Sequence, residues 1–115
     1  MESKFYPKYI SWVKKSYPRA FVYRTSNKFI RGIPDLVACV QGIMVTIEVK
    51  ENHKVTPIQE STMKQVRSSG GMALVGIKNK VHMIDDEQVW DMTITPFKEV
   101  FECLSQKLKT CSTPQ

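Results

Sequence analysis

Apolar side chains recur at helical spacing over residues 1–17, which predicts an amphipathic helix there. Pro7 lacks the amide hydrogen that an interior helix position donates, so it fits best in a first helical turn. We therefore expect the helix to begin near Tyr6 and to end at Tyr17-Pro18. The apolar stripe consists of Phe5, Tyr9, Trp12 and Val13.

Runs rich in β-branched and apolar residues follow and predict strands separated by polar turns. The runs cover residues 20–25, 34–40, 42–50, 72–78 and 80–85, with tight turns at Gln41-Gly42 and Lys78-Asn79. Thr56 and Pro57 supply the cap and first position of a helix that should run to about Ser69 and stop at Gly70. A last helix opens at Thr95-Pro96, and its apolar face consists of Phe97, Val100, Phe101 and Leu104.

This order of elements predicts the α/β class, with a mixed central sheet flanked by helices. We expect one domain over residues 1–110 and a disordered tail over residues 111–115. Trp90 follows the last predicted strand, where it would cap the core or form a dimer contact. No run of about 18 apolar residues is present, so we expect no membrane span.

The turn at Gln41-Gly42 predicts the register of the central hairpin. A two-residue loop makes cross-strand partners sum to 83, so that Val37 faces Thr46 and Asp35 faces Glu48. An odd loop or a bulge would shift this pairing by one. In the even register one face is apolar throughout and must pack on a helix, whereas the other carries Asp35, Val37, Cys39, Met44, Thr46, Glu48 and Lys50.

Two carboxylates side by side destabilise a sheet unless something offsets their charge. Lys50 points to the same face and can help, and a divalent cation would do more. Oxygen ligands suit Mg²⁺ or Mn²⁺, and the same arrangement serves phosphodiester hydrolysis, with the ammonium orienting the nucleophile or stabilising the transition state. The alternative is a plain sheet edge with a Glu48–Lys50 surface pair, which contributes little.

The charge balance favours a polyanionic partner. Seventeen Lys and Arg against eleven Asp and Glu give a net charge of +6, which favours nucleic acid but is also compatible with simple solubility. Lys28, Arg31 and Lys54 lie in loops flanking the candidate site and are natural phosphate contacts, or else solvated loop charges. Three cysteines without CxxC spacing fit reduced thiols in a cytoplasm, with Cys39 expected in the core.

The motif GIPD, followed thirteen positions after Asp35 by EVK at residues 48–50, resembles the PD…(D/E)xK signature of restriction-endonuclease-like nucleases. With TPIQE at residues 56–60 and GGMALVG at residues 70–76, the chain is most similar to the VRR-NUC family, whose stand-alone members are short and often phage-encoded. The similarity covers about residues 28–77 well and the first helix loosely.

The resemblance implies the PD-(D/E)XK fold and an Mg²⁺-dependent endodeoxyribonuclease. By similarity, Asp35, Glu48 and the backbone carbonyl of Val49 would hold the metal, Lys50 would be the catalytic lysine, and Gln59 would support the site or touch phosphate. Glu2 is the sole acid before Asp35, so it is the candidate for the family's first-helix acid. The family also implies a homodimer that acts on branched DNA such as Holliday junctions, in a host cytoplasm if phage-encoded.

Two other functions stay open at this stage. A catalytically silent nucleic-acid-binding module on the same fold would bind DNA without cleaving it. A plain protein-interaction domain would show no salt-sensitive binding to DNA.

Overall fold

Three helices and six strands form the part of the chain that the computed structural model describes, residues 5–25, 31–51 and 54–110. In chain order they are α1 (Tyr6–Ser16), β1 (Phe21–Arg24), β2 (Leu36–Val40), β3 (Ile43–Lys50), α2 (Pro57–Ser68), β4 (Met72–Ile77), β5 (Lys80–Met83), β6 (Val89–Asp91) and α3 (Phe97–Thr110). The predicted starts of all three helices are confirmed, because each begins within a residue of its proline. The predicted tail lies outside the described residues.

The six strands form one mixed sheet in the order β1-β2-β3-β4-β5-β6. Only β3 and β4 run parallel, and α2 makes the crossover that a parallel pair needs. The mixed α/β sheet is therefore confirmed. Strand β6 was not predicted from the sequence. In it Trp90 pairs with Val81 and is 8 % exposed, so Trp90 is part of the core. Among the described residues, no helix is long and apolar enough to cross a membrane.

Helices cover both faces of the sheet and divide the core into two clusters. The larger cluster packs α1 and α3 against the apolar face of the β2–β3 hairpin, as the alternation of the hairpin residues predicts. The smaller cluster lies under α2 and consists of Met63, Ala73, Val75 and Ile84. Because α2 lies over β3 and β4, no helix in the described part of the chain covers the second face of β1 and β2, and Cys39 is exposed. The expectation of a core Cys39 was wrong.

A close contact between α1 and β4 sets the position of α1. Tyr9 is fully buried, and its hydroxyl donates a hydrogen bond to the backbone carbonyl of Lys78. Its ring lies directly against Gly76, where any Cβ atom would collide with it. Tyr6 lies one turn earlier on the same side of α1. The contact of Tyr9 with β4 therefore positions the start of α1 at the end of the β2–β3 hairpin.

The loop that leads into Asp35 packs just as closely against α2. Gly32 has φ +81°, and an added Cβ would lie 2.5 Å from Ile58 Cγ2 and 2.8 Å from Thr62 Oγ1. Both the positive φ and the short distances require glycine at this position. The glycine of the GIPD motif thus has a structural role. Because it lacks a side chain, the loop packs on α2, and this contact fixes the path of the chain into β2.

We predict that Gly32→Ala destabilises the protein by about 2–4 kcal/mol, because the left-handed backbone and the clash with α2 both cost free energy. Gly42→Ala is the matched control, because Gly42 has φ +80° with nothing within 4 Å of an added Cβ. It should cost only about 1–2 kcal/mol. Equilibrium urea denaturation measures both values, and equal losses for the two variants would contradict the packing of this loop on α2.

Candidate metal and catalytic site

The β2–β3 hairpin has the predicted register. Gln41 and Gly42 have φ of 50° and 80°, as a tight two-residue hairpin turn requires. Val40 pairs with Ile43, Val37 with Thr46, and Leu36 with Ile47. The same register continued by one residue sets Asp35 beside Glu48, on the face of the sheet that α2 partly covers.

Glu48 is a buried carboxylate. It is only 2 % exposed, and its Oε1 accepts a hydrogen bond of 3.1 Å from Gln59 Nε2. Its other oxygen, Oε2, is fully buried, and no hydrogen-bond donor among the described residues reaches it. Burying an ionised carboxylate without a donor raises the free energy of the folded state, so a proton or a cation at Oε2 would stabilise the protein.

Asp35 is held in place from two sides. Its Oδ2 accepts the backbone N–H of Val49 at 2.8 Å, and its Oδ1 accepts the hydroxyl of Tyr6 at 3.2 Å. Its backbone carbonyl accepts the N–H of Thr25 at 3.0 Å, which ties it to the end of β1. The carboxylate is therefore oriented toward the backbone of β3 rather than toward solvent.

The proximity of the two carboxylates perturbs the proton equilibrium of Glu48. The pKa of Glu48 is raised to about 8, chiefly by burial, and the neighbouring Asp35 contributes to this rise through a hydrogen bond from the protonated acid and through its negative charge. The positive charge of Lys50 opposes this rise. Without a cation, Glu48 is therefore mostly protonated near neutral pH.

Gln59 connects α2 to the site. Its side-chain oxygen accepts the backbone N–H of Thr56 at 3.0 Å, while the Thr56 hydroxyl accepts the N–H of Gln59 at 3.2 Å. This capping box fixes the first turn of α2. The Gln59 amide is thereby set to donate to Glu48, and its predicted role in supporting the site or contacting phosphate stays a prediction.

The cationic residues named from the sequence lie in different places. Lys50 ends β3, is half-buried, and acts on Glu48 through its charge. Arg31 and Lys54 are exposed in the loops before β2 and before α2. Glu2 and Lys28 lie outside the described residues, so their predicted roles stay predictions.

Tyr6 is a site residue that the sequence analysis missed. Its hydroxyl contacts Asp35, and the Arg24 guanidinium lies 4.3 Å from the centroid of its ring. Burial and then the charge of Asp35 raise the pKa of Tyr6 to about 12, so the hydroxyl keeps its proton and donates a hydrogen bond to the carboxylate. One signal was available, since Tyr6 lies three residues before Tyr9 and thus on its side of the helix.

The oxygen ligands of this site suit a hard cation that keeps several water ligands. No group of three or more His, Cys, Asp or Glu side chains comes together within the described ranges. Two carboxylates with one unpartnered buried oxygen suit Mg²⁺, which protein sites often bind through one or two carboxylates. The Val49 backbone lies next to one of these carboxylates, because its N–H donates to Asp35 Oδ2.

Comparison with known proteins finds no family model that matches the chain and no functionally curated protein that matches its sequence. The resemblance to VRR-NUC nucleases therefore stays a prediction.

We predict that the cation-free protein loses stability as pH rises from about 4.5 to about 8 because of Glu48. In that window the unfolded chain has released the Glu48 proton and the folded protein has kept it, so rising pH favours unfolding, by at most about 1.4 kcal/mol per pH unit. Below the window both states are protonated, and above it both are ionised.

Glu48→Gln isolates this effect, because glutamine resembles the protonated acid and can still accept from Gln59. His82, whose pKa burial lowers, titrates alike in both proteins. Urea denaturation in EDTA at pH 5, 6, 7 and 8 should show the variant gaining stability relative to the wild type at each step. Parallel curves for the two proteins would refute the raised pKa of Glu48.

Proposed function

We propose that this protein is a metal-dependent DNA endonuclease with the PD-(D/E)XK fold, of the VRR-NUC type. The observation that carries the proposal is the convergence of Asp35 and Glu48 at one end of the hairpin, where no hydrogen-bond donor among the described residues reaches the buried Glu48 Oε2. The order helix, three antiparallel strands, helix and parallel strand supports the fold.

Asp35, Glu48 and the backbone carbonyl of Val49 would hold Mg²⁺, or Mn²⁺ in its place. When bound, the cation supplies charge neutralisation at the phosphate and a water of lowered pKa. Glu2 would complete the ligand set by analogy with the family. In the overall reaction the water oxygen bonds to phosphorus, the bond from phosphorus to O3′ breaks, and a 5′-phosphate and a 3′-hydroxyl result.

Residues of the chain itself would orient the site. Gln59 holds Glu48 through Oε1 and so leaves Oε2 for a cation, while Tyr6 and the Val49 N–H fix the rotamer of Asp35. Lys50 shares the face of Glu48, and its ammonium would stabilise negative charge on the attacked phosphate or orient the attacking water.

The substrate would be DNA bound through its phosphates. The net charge of +6 favours a polyanion, and Arg31 and Lys54 are exposed in the loops on either side of the carboxylates. A chain of 115 residues covers little of a four-way junction, so action on branched DNA would require a homodimer. Cys39 and Cys103 are free thiols, which supports a cytoplasmic location, in the host if the protein is phage-encoded.

A catalytically silent DNA-binding module is the competing function, and one observation favours it. The raised pKa of Glu48 allows it to be protonated near neutral pH. The protonated acid can donate a hydrogen bond to Asp35, so the two carboxyl groups need no cation between them. The two functions differ in whether a divalent cation binds and whether DNA is cut.

We predict that Mg²⁺ or Mn²⁺ stabilises the wild-type protein. A tenfold excess of cation over its Kd adds about 1.4 kcal/mol to the free energy of unfolding, which raises Tm by about 5 °C. Asp35→Asn and Glu48→Gln should abolish the increase, while Glu60→Gln, on the exposed side of α2, should keep it. Thermal denaturation with and without the cation, at pH 8, measures the shift. Equal shifts in all four proteins would refute this metal site.

We predict that Lys50→Ala lowers the rate of DNA cleavage by about 100-fold or more, because a charge that stabilises the transition state is lost. Its affinity for DNA should change little. Lys98→Ala, which removes one exposed positive charge from α3, is the control and should cleave normally.

The assay uses supercoiled, linear and four-way-junction DNA with Mg²⁺, Mn²⁺ or EDTA. Cleavage that depends on metal and on Lys50 supports the endonuclease. Salt-sensitive binding without any cleavage would favour the silent module, and no binding would exclude both functions.

A further inference from the structure

Two aromatic side chains on β1 are exposed and parallel. Phe21 is 63 % and Tyr23 is 52 % exposed, their rings are 10° from parallel, and the ring centroids lie 6.4 Å apart. The other aromatic pairs in the described ranges are edge-on or tilted, as in packed cores. Flat rings presented to solvent do not serve the core of this fold.

The register connects these rings to the candidate active site. Phe21 pairs with Cys39, which pairs with Met44, and Tyr23 pairs with Val37, which pairs with Thr46. These residues share the face of the sheet that carries Asp35 and Glu48. Alternate residues of a strand lie about 6.6 Å apart, so the rings follow Asp35 at regular steps along one open surface. We call Phe21, Tyr23, Val37, Cys39 and Met44 the aromatic face.

The chemistry of this surface fits nucleobases better than an aliphatic protein partner. Sheet-borne aromatics at regular spacing serve as stacking platforms for unpaired bases, because every base has a π-face. Exposed arginines precede two of its strands, Arg19 before β1 and Arg31 before β2, and their positive charge would complement phosphates. A paired duplex keeps its bases stacked on one another and offers the rings no such face.

We propose that the aromatic face binds unpaired nucleotides by base stacking and leads the adjoining phosphate to Asp35 and Glu48. The inference rests on the proposed endonuclease function and deepens it. It assigns as substrate DNA with single-stranded nucleotides next to the scissile phosphate, rather than uniform duplex.

The test measures binding alone, so it does not depend on cleavage. The probes are a fluorescein-labelled 12-nucleotide oligodeoxythymidine and a 12-base-pair duplex, each titrated with the full chain in EDTA and followed by fluorescence anisotropy. Phe21→Ala and Tyr23→Ala should each weaken binding of the single strand by about tenfold, and binding of the duplex by less than twofold. Tyr23→Phe keeps the ring and should bind normally.

Ile94→Ala is the control, because Ile94 is a separate apolar residue that is 81 % exposed. Phe21→Trp adds a direct readout, since stacking on a base should quench its indole fluorescence. Both Phe21 and Tyr23 are exposed, and urea denaturation should confirm that the variants fold.

Three results would overturn the inference. The first is unchanged single-strand affinity in Phe21→Ala and Tyr23→Ala, and the second is no single-strand affinity in the wild type. The third is sedimentation that shows a wild-type dimer becoming a monomer in Phe21→Ala, because the face would then be covered by a second copy. If the wild type binds single strands through the rings but never cleaves DNA, the proposed endonuclease function fails while the stacking surface stands.

Discussion

The burial of Glu48 beside Asp35 is the constraint on which the site depends. A carboxylate that is 2 % exposed, with a second carboxylate as its neighbour, raises the free energy of the fold unless a proton or a cation compensates it. Gln59 satisfies one oxygen and leaves the other without a donor among the described residues. The free energy of the folded state is thus raised at the place where the two carboxylates could share a cation.

The surrounding structure keeps this arrangement from relaxing. Gly32 allows the loop before Asp35 to lie on α2, and Gly76 allows Tyr9 to approach β4, so that α1 delivers Tyr6 to Asp35. The capping box of α2 uses the same Gln59 that contacts Glu48. Helices α1 and α2 therefore each contribute one hydrogen-bond donor, α1 to Asp35 and α2 to Glu48.

The sequence predicted the parts of the site that depend on local rules. The period of two and the Gln41-Gly42 turn were enough to set Asp35 beside Glu48, and the Thr-Pro helix start placed Gln59 in a first turn. Tyr6 was missed because its contact depends on how α1 crosses the sheet. Cys39 was misplaced because alternation identifies a face but not how far a helix covers it. The three-residue β6 was too short to leave a periodic signal.

Diffraction from crystals soaked in Mn²⁺ and measured at a wavelength where manganese scatters anomalously tests the central claim most directly. We expect an anomalous peak between the carboxylates of Asp35 and Glu48, about 2.0–2.2 Å from an oxygen of each, with Gln59 still hydrogen-bonded to Glu48 Oε1. No peak at this position at millimolar Mn²⁺ and pH 8, with Glu48 Oε2 still unpartnered or protonated against Asp35, would contradict it.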